Sequence, residues 1–255
     1  MELPGRTVIV TGAGSGIGRA LALAFARHGA GVVCCARRFE RLEETVRLIE
    51  RDGGVGFAQR CDVTRREEVQ TLVTAALERF GQIDVLFNNA GSFQSIAGVA
   101  ESDPDTWWTD VSVNMLGGYL TIREVLPHML TRDTGIIVNM DGGRPVGGSG
   151  YACGKAGLME LTRVLSKELR LLGSAVMVFG AGPGLVRTEM TELQAQSEAG
   201  RRWIPSTQAA FAAGSTRQPE ELARATIELI RIATPEVSGK SYGPDTDFST
   251  WFAAD

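Results

Sequence analysis

Six short runs of apolar, largely β-branched residues recur along the chain, and the first five each lead into a longer segment whose apolar positions follow a helical period. This alternation is the strongest constraint on the fold, because neighbouring parallel strands need a long crossover, usually a helix. "TVIVT" (7–11) runs into "GIGRALALAFARHG" and "GVVCCA" (31–36) into "FERLEETVRLIERDG". "VGFAQRC" precedes "REEVQTLVTAALERFG", "IDVLFN" (83–88) precedes a segment at about 104–130, and "GIIVNM" (135–140) precedes 151–172. "SAVMVFG" supplies the sixth strand. Gly29, Gly53 and Gly81 fall where the first three helices should stop.

After the sixth strand the rhythm changes. A helical insertion, expected as a lid near 189–215, precedes "PEELARATIELIRIA", whose start is marked by Pro219. "GKSYG" (239–243) is the candidate seventh strand. No long linker or short-period repeat intervenes, so residues 1–255 read as one α/β domain: a doubly wound parallel sheet of about seven strands carrying a lid. The 44% hydrophobic and 22% charged composition is that of a globular chain. A formal charge of −4 offers no positive field to nucleic acid or to an anionic membrane, which leaves small molecules as the expected partners. No apolar run approaches a membrane span of ~20 residues and no signal-like start is present, so the expectation is a cytoplasmic protein. Four cysteines without ligand spacing and two distant histidines, His28 and His128, predict no metal site.

The first strand ends in "TGAGSGIG", placing Thr11, Gly12, Gly14, Ser15, Gly16, Ile17 and Gly18 on a strand-turn-helix junction. Glycines there permit a tight turn and a close approach to a pyrophosphate, while helix N–H groups face the anion. The turn lacks a following Lys-Ser/Thr, which disfavours a phosphate-transfer enzyme. An acid at the tip of the second strand would hold an adenosine ribose 2′-hydroxyl. Ala36, Arg37 and Arg38 stand there instead, leaving room and guanidinium groups for a 2′-phosphate. The expected cofactor is therefore NADP(H) rather than NAD(H).

With "TGAGSGIG", "NNAG" (88–91), Asn114 in "VSVNMLGG", "YACGK" and "GPGLVRT" in this order, the chain resembles the short-chain dehydrogenase/reductase family over nearly its full length. The resemblance implies a Rossmann-type sheet, hydride transfer between a nicotinamide and a carbonyl or secondary alcohol, and a homo-tetramer or homo-dimer built through the helices at about 104–130 and 151–172. By the same resemblance, Asp62 and Val63 hold the adenine, and Asn88, Asn89, Ala90 and Gly91 lie beside the adenosine ribose. Pro183, Gly184, Val186 and Thr188 resemble the loop that receives the nicotinamide carboxamide and pyrophosphate.

Tyr151 and Lys155, four apart, share one face of a helix. A free phenol titrates near ~10, so Lys155, with the oxidised nicotinamide close by, is expected to draw Tyr151 toward a useful range as proton donor. In the family the lysine also binds the nicotinamide ribose, so that both residues touch the cofactor, and Asn114 helps order a proton-relay water. One departure stands out. Aligning Ile137, Val138, Asn139, Met140 and Asp141 with the family's strand puts Gly142 where a serine hydroxyl usually orients the carbonyl, and the loop to Tyr151 is short. Ser149, Asp141 or a water are the candidate replacements. Losing one such donor typically costs ~2.7–4 kcal/mol of barrier, which slows an enzyme without abolishing it. Because Tyr151, Lys155 and Asn114 remain, the reading is an NADP-dependent oxidoreductase with an atypical site. The alternative is a catalytically weak NADP(H)-binding sensor or partner subunit. Met190, Leu193, Trp203 and Phe211 are expected to give the lid an apolar lining, and Arg144 is a candidate for an anionic substrate group.

Overall fold

A computed structural model describes residues 1–243, 245 and 246. The end of the expected 1–255 domain therefore lies outside the described residues. Seven parallel strands are ordered β3-β2-β1-β4-β5-β6-β7. They are β1 Thr7–Thr11, β2 Gly31–Ala36, β3 Val55–Arg60, β4 Val85–Asn88, β5 Ile136–Met140, β6 Met177–Ala181 and β7 Ser241–Tyr242. The seventh strand is two residues long, against the five expected, because it pairs only with Gly180 and Ala181 at the sheet edge.

Helices α1 (Gly16–Arg27), α2 (Phe39–Arg51) and α10 (Pro219–Ile232) cover one face. On the other lie α3 (Arg66–Phe80), α5 (Gly117–Arg132) and α6 (Ser149–Leu171). Successive side chains of a strand point to opposite faces, so both cores draw on the same strands. Val8, Val10 and Cys34 pack under α1, whereas Ile9, Val33 and Cys35 pack under α3 and its neighbours. The expected long helix after β4 is α4 (Pro104–Val111) joined to α5 through a π-helical turn, Ser112–Leu116. Its backbone keeps right-handed helical angles at both joins, so the axis runs on while the turn inserts Asn114.

The insertion after β6 forms three short helices, α7 (Glu189–Gln196), α8 (Glu198–Trp203) and α9 (Pro205–Ala212), matching the expected lid. Thr188 starts α7 through a reciprocal capping box with Thr191. Strand order reverses between β1 and β4, and a cleft opens outside their carboxyl ends, where doubly wound sheets place ligands. Asn88 braces this point: it accepts from Thr121 at 2.6 Å and donates to Asn139 at 2.9 Å, and Asn139 donates to Thr162 at 2.8 Å. Both β4 and β5 are thereby tied to the helices behind them.

Candidate functional site

The cleft holds about 1020 Å³ and runs from the β2 tip, past the glycine turn, to the lid. Its first wall is the turn "TGAGSGIG". Gly12 (φ 70°) and Gly16 (φ 52°) occupy left-handed backbone that other residues avoid. A Cβ at Gly18 would lie 2.2 Å from the Gly12 carbonyl oxygen, so the helix can pack against the turn only with glycine there. Ser15 precedes α1 without a side-chain capping bond, and no acid occupies the first helical turn. The leading N–H groups of α1 are thus left to an anion in the cleft, as a pyrophosphate would require. Thr11 does not line the cleft: its hydroxyl accepts from the N–H groups of Asn89 and Ala90 at 3.0 and 2.9 Å and holds "NNAG" against β1.

Apart from Asn88, the other expected cofactor residues line the same cleft, from Gly12, Gly14, Ser15, Gly16, Ile17 and Gly18 through Arg37, Arg38, Asp62, Val63, Asn89, Ala90 and Gly91 to Tyr151, Lys155, Pro183, Gly184, Val186 and Thr188. Asn88, within the strand, has its amide committed to the sheet and stands apart. A further cation was not foreseen: Arg41, one turn into α2, faces the cleft beside Gly14 and pairs with Glu189 at 2.5 Å. Its position three residues past Arg38 was the available signal.

At the other end α6 brings Tyr151 and Lys155 together, with the lysine Nζ 5.9 Å from the tyrosine ring centre. Phe93 stacks on Tyr151 at 4.6 Å and limits its rotation. The buried carboxylate of Asp110 fixes that wall, accepting from the Ser92 hydroxyl at 2.6 Å and from the N–H groups of Gln94 and Ser95. Lys155 is fully buried and donates to the Met140 carbonyl at 2.8 Å. Asn114 sits behind the cleft instead of lining it, donating to the carbonyls of Ser92 and Asp110 at 2.6 and 2.7 Å. A Cβ on Gly91 would lie 3.1 Å from the Asn114 Oδ1 and 3.9 Å from the Lys155 Nζ, so only glycine separates the two.

Gly142 answers the question raised by the missing serine. A Cβ built there would lie 2.1 Å from the Tyr151 Oη, so the phenol occupies the space a serine side chain would take. Of the candidate replacements, Ser149 is engaged elsewhere: its hydroxyl accepts from the Trp107 indole at 3.0 Å, and it lies outside the cleft lining. Asp141 does line the cleft, with one oxygen accepting from the Gly142 N–H at 2.8 Å and from Arg144, and the other from Ser241. Arg144 turns back onto Asp141 and the Gly142 carbonyl, away from the role of anion receptor. In the lid, Met190 and Leu193 reach the cleft, Trp203 packs on Gly98 and Gly147, and Phe211 stacks under Arg187. Gln194 was not foreseen; it is buried at the lid side of the cleft, and its amide nitrogen lacks a partner.

The chain's own groups push the two side chains the other way. Burial, reinforced by the charge of Asp141, pushes the Tyr151 phenol up to about 12, and Arg144 opposes this only in part. The Lys155 ammonium, 5.9 Å from the ring centre, does not bring the phenol back to its free value, and burial lowers the lysine itself to about 8, against the pull of Asp141. Each group is displaced toward its neutral form because the pocket is poorly hydrated.

Among the described residues no His/Cys/Asp/Glu cluster could hold a metal, and no helix is long and apolar enough to cross a membrane. A family model described as short chain dehydrogenase matches residues 6–199. The 3-oxoacyl-acyl-carrier-protein reductase of Thermotoga maritima is 32% identical over 252 residues, covering 96% of this chain and 98% of its own. An actinorhodin polyketide ketoreductase solved with NADPH superposes with a TM-score of 0.84 at 31% identity, covering 93% of this chain and 95% of its own. A metagenomic short-chain oxidoreductase solved with NADP gives 0.76 at 26% identity, over 97% of this chain and 100% of its own. The Rossmann-type order of the sheet, the glycine turn and these likenesses agree: the chain is an oxidoreductase of the short-chain dehydrogenase/reductase family.

Proposed function

We propose that this chain is an NADP-dependent carbonyl reductase in which Tyr151 donates the proton and Gly142 gives it room to do so. The observation that carries this reading is the 2.1 Å separation between a Cβ position at Gly142 and the Tyr151 Oη. The α1 amides would hold the pyrophosphate of a dinucleotide in the cleft, and Arg37, Arg38 and Arg41 would hold a 2′-phosphate. When bound, the nicotinamide supplies or accepts the hydride. Solved neighbours that hold NADPH or NADP favour the same cofactor.

The chain's own part is to hold and move a proton. Phe93 and the Gly142 backbone clamp the phenol, so a substrate oxygen in the cleft meets a hydroxyl already in place. With its phenol held at about 12, Tyr151 stays protonated through the neutral range and is poised to give up a proton to a developing alkoxide, a far stronger base. Lys155, buried beneath it, supplies the positive charge that stabilises the tyrosinate left behind, and Asn114 braces the backbone around both. No serine hydroxyl shares the substrate oxygen, which makes the enzyme slower or more selective than relatives that have one.

Oxidation of NADPH driven by members of a panel of ketones, keto-sugars and quinones is the expected result. NADPH binding with no carbonyl-dependent oxidation would instead favour a sensor or partner subunit. A homo-oligomer is proposed on separate grounds: Trp108, Met115 and Tyr119, spaced seven and then four residues apart, put apolar area on one outer helical face, and α6 adds exposed Val164 and Leu171.

A further inference from the structure

Glu189, the first residue of α7, reaches across the mouth of the cleft to the start of α2. Its two carboxylate oxygens meet two guanidinium groups, the Arg41 Nη1 at 2.5 Å and the Arg38 Nη2 at 3.8 Å. All three residues line the cleft. Neighbouring Thr188 packs against the glycine turn, since a Cβ at Gly16 would lie 3.1 Å from its methyl group. The chain therefore passes over the turn and lays a carboxylate on the cations at the β2 tip.

A carboxylate held by two guanidinium groups satisfies the same donors as a phosphate monoester. We propose that Glu189 is a resident substitute for the 2′-phosphate and sets cofactor selectivity: NADP(H) must displace it from Arg41 and Arg38, whereas NAD(H) leaves the pair intact. This rests on the assignment of the β2 tip as the 2′-phosphate seat. The carboxylate moderates a preference that the arginines alone would make stronger. Its single charge yields to the nearly double charge of a phosphate, and all three side chains are half-exposed and free to rearrange.

Glu189→Gln removes the competing charge and keeps the shape. Dissociation constants for NADPH, NADH, 2′,5′-ADP and 5′-AMP are to be measured by calorimetry or nicotinamide fluorescence on wild type, Glu189→Gln, Arg41→Ala and the double variant. The expected result is two- to fivefold tighter binding of NADPH and 2′,5′-ADP to Glu189→Gln, the range of an exposed ion pair, with NADH and 5′-AMP unchanged. In the Arg41→Ala background that gain should shrink, which ties it to the pair and not to a general charge effect. Equal tightening of ligands with and without the phosphate, or no change in either, would overturn the proposal. The seat itself is tested by the wild-type preference: binding NADH as tightly as NADPH would refute it, whatever Glu189→Gln does.

Discussion

Glycine at position 142 reads in the sequence as a loss and in the structure as a place made for another group. A serine there requires the Tyr151 hydroxyl to move, so Gly142→Ser should lower kcat instead of restoring a family-like rate. The overpacking should also destabilise the fold by about 1–3 kcal/mol. A kcat at or above wild type would show that the phenol has room to spare. Lys155 makes a second prediction at this scale. Its pKa of about 8 in the fold lies below the ordinary 10.5, so between those values the unfolded chain binds the extra proton. Stability from this group must therefore rise as pH climbs from about 8 to 10.5, by up to roughly 3 kcal/mol. Comparing thermal midpoints of wild type and Lys155→Met across that window isolates the effect; parallel curves would contradict the burial-driven shift. The Tyr151 and Lys155 pair was legible because helical spacing alone puts i and i+4 on one face. The meaning of Gly142 was not, because it depends on a contact between residues nine apart on different elements.

Among the elements, the strands were legible wherever β-branched runs filled a fully buried sheet, as in Thr7–Thr11 and Ile136–Met140. The π-helical turn at Ser112–Leu116 was not, since a one-residue widening leaves the apolar period almost unchanged. The lid was located and half of its apolar lining was legible: Met190 and Leu193 reach the cleft, whereas Trp203 and Phe211 are occupied within the lid and loop and Gln194 faces the cleft side. Removing the unpartnered amide by Gln194→Leu should stabilise the protein by about 1 kcal/mol. A lower melting temperature in differential scanning calorimetry would mean that the amide has a partner in solution. Asp110 behaves oppositely. Asp110→Ala leaves the Ser92, Gln94 and Ser95 donors unpaired, so it should cost about 3 kcal/mol or more and release Phe93 from the tyrosine.

For the molecule as a whole, the alternation of strands and helices led directly to a parallel sheet. A cofactor cleft at the reversal point follows from that order, because ligands in such sheets gather outside the strand ends where crossovers diverge. The proposed subunit assembly draws on side chains left uncovered on α4, α5 and α6, which sequence periodicity could not tell from core. Tyr119→Arg combined with Val164→Glu should shift the particle mass in light scattering toward the single chain; an unchanged mass would place the interface elsewhere. The proposed function, finally, rests on the phenol that lies against Gly142. Tyr151→Phe keeps the ring, the Phe93 stack and the cleft while deleting one hydroxyl. NADPH should bind this variant with a Kd within about twofold of wild type, and carbonyl-dependent NADPH oxidation should fall by about 10²–10⁴-fold. Turnover within a few-fold of wild type would show that another group delivers the proton.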